Sequence, residues 1–106
     1  MDKSRVITLV GVSFTPDAIG NEVPQESRRD VFCNISGVSA SEWFEAGTAG
    51  ISPEYRVTMF VYDYRREAIA ELDGVRYGIY RTYLKGNEDI ELYLERKAGL
   101  NGDISG

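Results

Sequence analysis

Apolar and aromatic residues recur at every second position in one short run after another, and this rhythm restricts the chain to a sheet-built fold. Tyr55, Val57, Met59 and Val61 alternate with Arg56, Thr58, Phe60 and Tyr62. Val75, Tyr77, Ile79, Arg81 and Tyr83 fall on one side of a further run, with Arg76 on the other by parity. Ile90, Leu92 and Leu94 alternate with Asp89, Glu91, Tyr93 and Glu95. Upstream, Val6-Ile7-Thr8-Leu9-Val10-Gly11-Val12 is short and β-branched, a strand by propensity. Residues 30–36 place Val31, Cys33 and Ile35 on one face and Phe32 and Asn34 on the other. Asp73-Gly74, between the short strand at residues 68–72 and Val75, carries the signature of a type I′ hairpin. Lys85-Gly86-Asn87-Glu88-Asp89 is a polar turn.

Two stretches break the rhythm. Residues 15–24 hold Pro16, Pro24 and the Gly20-Asn21 pair, which predicts a long loop rather than a ladder. Its apolar Ile19 and Val23, flanking Gly20 and Asn21, mark it as a folded-back or partner-contact segment. Ser39-Ala40-Ser41-Glu42 is a capping box: the Ser39 hydroxyl accepts from the Glu42 N–H, and the Glu42 carboxylate reaches back to the Ser39 N–H. Val38 and Trp43 are spaced for a hydrophobic staple. The helix runs about two turns, through Trp43, Phe44 and Ala46, with Gly47 as its left-handed terminal residue. Residues 48–53 form a second flexible connection. The sum is a mainly β chain: a small antiparallel β-barrel or sandwich of about six strands, with one short helix inserted between strands two and three. One domain is expected over residues 1–97, followed by a flexible, Gly-rich tail at 98–106.

Composition narrows the chemistry. The 106 residues include no His, so a Ser-His-Asp triad, a Cys-His dyad and an imidazole metal site are absent. The single cysteine, Cys33, excludes an internal disulfide and a thiolate zinc cluster; its apolar neighbours make it a core filler rather than a nucleophile. Twelve Lys and Arg against 17 Asp and Glu leave a net charge of −5, a poor footprint for phosphate binding. Carboxylates are the remaining catalytic currency: Glu42 with Glu45, and Glu88, Asp89 and Glu91 about a turn. A chain this small offers little room for the cleft a carboxylate pair needs, and no calcium-loop spacing exists. No catalysis, cofactor or metal is expected. Tyr62, Tyr64, Tyr77, Tyr80, Tyr83 and Tyr93 gather in the C-terminal sheet. They suit cross-strand packing, or in an alternative reading the stacking of single-stranded nucleic acid on a small barrel. No apolar run approaches the length of a membrane span, and Met1-Asp2-Lys3-Ser4-Arg5 leads into the first strand with no signal-peptide core; synthesis in the cytoplasm is expected.

The order of these elements carries a resemblance. Glu42-Trp43-Phe44-Glu45-Ala46-Gly47, then Gly50-Ile51-Ser52-Pro53-Glu54-Tyr55-Arg56-Val57, is followed by Asp73-Gly74-Val75-Arg76-Tyr77-Gly78-Ile79-Tyr80-Arg81-Thr82-Tyr83 and Ile90-Glu91-Leu92-Tyr93-Leu94-Glu95-Arg96-Lys97. This succession resembles the tailed-phage head closure family, also called head-tail joining or head-tail adaptor proteins, of the prophage type found in Gram-positive bacteria. It covers about residues 4–97 through order and spacing rather than through one diagnostic motif. The resemblance implies a non-enzymatic structural component of the virion neck. Such a component assembles as a homo-oligomeric ring, commonly dodecameric, below the portal and its adaptor protein. It closes the DNA-filled head and meets a tail-to-head joining or tail terminator protein, with packaged DNA passing through its channel. The connection between strands two and three, here residues 38–53, is implied as the channel stopper: Ser39, Glu42 and Trp43 fix its base, Gly47 and Gly50 let it bend, and Glu42, Glu45 and Glu54 present like charge to the duplex. The predicted helix departs from a fully flexible plug, and the loop around Ile19 to Val23 competes as the partner-facing segment. The alternatives are another neck or tail-terminator component and the single-strand-binding barrel.

Overall fold

The computed structural model describes residues 3–96; the tail expected at residues 98–106 lies outside them. Six strands and one helix follow in chain order: β1 (Arg5–Pro16), β2 (Glu22–Ser36), α1 (Ala40–Thr48), β3 (Pro53–Phe60), β4 (Ile69–Leu72), β5 (Val75–Lys85) and β6 (Asp89–Glu95). A single 3-10 turn at Val61–Asp63 follows β3, so the strand expected to reach Tyr62 stops at Phe60. All pairings are antiparallel, and the sheet closes on itself in the order β1-β2-β3-β6-β5-β4. The expected architecture holds: mainly β, with the one helix between the second and third strands.

Period-two alternation builds the core. Ile7 and Leu9 of β1, Val31 and Cys33 of β2, Val57 and Met59 of β3, Ala70 and Leu72 of β4, Tyr77 of β5, and Ile90, Leu92 and Leu94 of β6 all point inward. Tyr55 meets Tyr77 edge to face, with ring centroids 5.6 Å apart, a preferred aromatic geometry. Cys33 is fully buried, and burial pushes its thiol up to about 11, a packing role rather than a reactive one. The Asp73-Gly74 turn joins β4 to β5 with φ of 52° and 80°, the left-handed pair that a type I′ turn requires.

Three expectations are corrected. Residues 15–24 are not a long loop. β1 and β2 form one continuous hairpin whose register runs from Arg5↔Cys33 out to Phe14↔Pro24 and Pro16↔Glu22. β4 pairs with β1 only at Thr8–Val10, and β3 pairs with β2 only at Asn34–Ser36. Beyond Val10 the hairpin is therefore a two-stranded arm with both outer edges open. A proline whose nitrogen faces such an edge removes no ladder bond, so Pro16 and Pro24 are compatible with strand. Second, Arg76 and Arg81 do not lie on opposite faces. The pairs Ile79↔Leu94 and Arg81↔Tyr93 leave Tyr80 as the extra residue of a β-bulge. The bulge resets the alternation and puts Arg81 on the outer face with Arg76. Third, the left-handed residue at the helix end is Gly50, with φ of 77°, and Gly47 lies inside the helix.

An ion-pair lattice covers the outer face where β2, β1, β4 and β5 lie side by side. Arg28 on β2 reaches across β1 to Glu71 on β4, at 3.0 Å by one nitrogen. Arg76 on β5 donates to Glu71 at 2.7 Å and to both oxygens of Glu26 at 2.8 and 2.9 Å. Between Arg28 and Glu71 in the strand order lies Val10, an outer-face residue that is nevertheless fully buried. The hydrogen bond from Arg28, joined by that from Arg76 and opposed by burial, holds the Glu71 carboxyl below its usual range.

Candidate functional site

Two features project from the closed sheet: the helix of the β2–β3 connection and the hairpin arm. The helix starts as the sequence predicts. Ser39 has extended backbone angles and its hydroxyl accepts from the Glu42 N–H at 3.1 Å. It ends in a Schellman motif: the Ile51 N–H donates to the Ala46 carbonyl and the Gly50 N–H to the Gly47 carbonyl, both at 3.0 Å. A nine-residue helix is marginal on its own, so its hold on the sheet decides whether it is ordered.

That hold is polar. The Glu42 carboxylate does not return to the Ser39 N–H as the capping-box reading expects. It is buried, accepts from the Tyr80 hydroxyl at 2.7 Å, and pairs with the Arg81 guanidinium. The Tyr80 bulge is what brings both partners to the outer face of β5. Burial, reinforced by the Glu42 hydrogen bond, raises the Tyr80 hydroxyl well above its ordinary value. The Arg81 guanidinium carbon lies 4.2 Å from the Tyr93 ring centroid, and the Tyr93 hydroxyl donates to buried Glu91 at 3.0 Å. Glu91 faces Arg56 and Lys85, each at 3.9 Å. The helix base is thus the end of a charged chain running across β5 and β6.

The opposite face of the helix carries its large apolar residues. Ala40, Trp43, Phe44 and Gly47 recur at helical spacing, and all four are exposed. Trp43 and Phe44 pack edge to face against each other, with centroids 5.3 Å apart. Trp43 is 54% exposed, so much of its ring faces outward. Glu45 and Glu54 are exposed as well, whereas Glu42 is neutralised by Arg81.

The arm ends in a tight turn. The Asp17 carboxylate accepts from the backbone N–H groups of Ile19 at 3.0 Å and Asn21 at 2.8 Å. The Asp17 N–H donates to the Asn21 carbonyl at 2.8 Å, and Gly20 takes φ of 87°. Ile19 stands at the apex, 81% exposed, with Val23 half-buried on the return strand. At the foot of the arm, Arg29 ties the β3–β4 connection down. It donates to the Asp63 carbonyl at 2.7 Å and to Glu67 at 2.6 and 3.0 Å. Glu67 also accepts the Arg65 N–H at 2.9 Å. Burial opposes the Glu67 charge, but the Arg29 hydrogen bond and the backbone donors outweigh it and hold the carboxyl below its usual range. Beside this knot is an open cleft of about 400 Å³, lined by Val12, Ser27, Arg65, Arg66 and Ala68 among others.

The residues singled out from sequence separate into two places: Ser39, Glu42, Trp43, Glu45, Gly47 and Gly50 on or beside the helix, and Ile19, Gly20, Asn21 and Val23 at the arm tip. Glu54 is the second residue of β3. The sequence does not reveal the link of Arg81 and Tyr80 to Glu42, because it spans 39 and 38 positions. Among the described residues, no group of three His, Cys, Asp or Glu side chains is placed to hold a metal ion. No protein-family model matches the chain, and no curated protein matches it.

Proposed function

We propose that the protein is a tailed-phage neck component of the head closure type, acting through contacts and not through catalysis. In this reading it forms a ring below the portal adaptor, presents a docking face to the tail terminator, and uses the β2–β3 connection to obstruct the DNA channel. One observation carries the reading: a small closed sheet holds an ordered insertion between its second and third strands by a polar base, while the aromatic stripe of that insertion faces away from the sheet. Such an insertion is a projecting tool rather than part of the core. Because Glu42 is paired with Arg81, the like charge offered to passing duplex comes from Glu45 and Glu54. The stacking of single-stranded nucleic acid is disfavoured: Tyr77 and Tyr93 are buried and Tyr80 is engaged by Glu42.

The test is reconstitution. The full chain is added to purified portal–adaptor particles filled with DNA, and particles are imaged while DNA retention is measured. The expected result is an added ring below the adaptor and slower DNA loss. Trp43→Ala with Phe44→Ala is expected to keep the ring and lose part of the retention. Absence of any added density would overturn the proposal.

A further inference from the structure

The two edges of the arm are built differently. The β2 edge carries Glu22, Glu26, Arg28, Arg29 and Asp30 together with Pro24, the charges and proline with which proteins protect an open strand. β1 has no charged residue after Arg5. Its outer segment, Gly11 to Pro16, has no partner strand on the far side, and Val12 and Phe14 are 48% and 60% exposed. The tip adds an isoleucine at a turn apex, where turn chemistry favours small polar residues. Among the described residues, no strand pairs with this unprotected edge, and the side chains of Ile19 and Phe14 stay exposed.

The charges are divided in the same way. At the tip, Asp17 and Glu22 flank the turn, and neither forms an ion pair among the described residues. At the foot, Arg65 and Arg66 sit on the cleft and likewise form no ion pair there, while Arg29 and Glu67 beneath them satisfy each other. Arg66 is held at a φ of 64°, an unusual conformation for a long side chain. An acidic, apolar tip and a basic cleft with apolar walls therefore occur on one chain. They cannot meet within it: seven steps of extended strand separate Val10 from Asp17, about 23 Å, and the ladder keeps the arm straight.

We propose that the arm tip of one copy docks in the cleft at the foot of the next copy's arm. Asp17 and Glu22 meet Arg65 and Arg66, and Ile19 rests against Val12 and Ala68. Tip and cleft are different surfaces, so the contact is head-to-tail, the kind that generates rings when its rotation closes. It deepens the ring reading above by naming the contact between copies, and its test needs no phage particle.

Two variants of the full chain, each with one added cysteine, Ala18→Cys at the tip and Ala68→Cys in the cleft, are mixed and oxidised. Buried Cys33 does not compete. The expected result is a disulfide-linked pair at least tenfold more abundant than with Gly37→Cys, an open position away from the cleft. Adding Asp17→Asn and Glu22→Arg to the tip variant reverses its charge while keeping an acceptor for the turn. This is expected to reduce linkage tenfold, and Arg65→Glu with Arg66→Glu on the cleft partner is expected to restore it. Linkage no better than with Gly37→Cys, or a charge swap that fails to restore it, would overturn the proposal. Linkage without rings on portal–adaptor particles would instead count against the neck reading alone.

Discussion

Replacing Glu42 by alanine should free the helix from the sheet without unfolding the sheet. The carboxylate accepts two hydrogen bonds, one from Tyr80 at 2.7 Å and one from Arg81. A hydrogen bond to a charged acceptor contributes about 1.5–3 kcal/mol when buried. The Arg81 side chain is 45% exposed, which discounts its share to about 1 kcal/mol or less. A carboxylate in the first helical turn adds about 0.3–1 kcal/mol through the helix dipole. Alanine recovers a few tenths of a kcal/mol in helix propensity. Arg81 and Tyr80 are both partly open to water, so neither is left as a buried orphan. The net loss is about 2 kcal/mol, roughly a 30-fold rise in the population of the detached helix. The assay is native-state hydrogen exchange resolved by residue. Amides at the helix end, those of Ala49, Gly50 and Ile51, should exchange about 30-fold faster, while those of Val57, Leu92 and Leu94 in the sheet stay protected. Glu45→Ala, at an exposed carboxylate on the same helix, should leave the pattern unchanged. Acceleration of sheet and helix amides together, or of neither, would refute the idea that this anchor holds the helix to the sheet.

Two further outcomes follow from the same geometry. Gly50→Ala should cost about 1–2 kcal/mol of stability, because its φ of 77° is unfavourable for a side chain, while Gly47→Ala, inside the helix with open space at its Cβ position, should gain about 0.5–1 kcal/mol; urea midpoints of the two variants should therefore move in opposite directions. Glu67 and Glu71 titrate below their ordinary range in the folded state, so the stability they contribute is complete above the ordinary carboxylate range and is lost as pH falls through their lowered values. Urea midpoints should fall on acidification, less steeply in Glu67→Gln, and a midpoint that rises instead would contradict the pairing.

How much of this was legible in the sequence depends on how far apart the interacting residues lie. Alternation in β2, β3 and β6 specified the inward faces, because each inward residue needs only its own strand to declare it. The Asp73-Gly74 turn and the Ser39 cap are likewise local and were readable. The arm was not: Pro16 and Pro24 are strong loop signals, and only the absence of outer neighbours makes them harmless. The bulge at Tyr80 leaves no mark, since Val75, Tyr77, Ile79, Arg81 and Tyr83 alternate as if the strand were regular. Missing the bulge concealed Arg81, and with it the partner that turns Glu42 from an exposed charge into the fastening of the helix. The opposition of the acidic arm tip and the basic cleft was not legible either, because it depends on the length and straightness of the hairpin.

The closed wall is uneven in strength. The β1–β2 hairpin pairs along its whole length within itself, yet joins the rest of the sheet by three residue pairs to β4 on one side and three to β3 on the other. These are seams, and a pull or a thermal fluctuation that parts them swings the hairpin out as one leaf while its internal ladder survives. The β1–β4 seam also joins residues far apart in sequence, Thr8 with Glu71 and Val10 with Ile69, so closing it is the slow, late event when the chain first folds.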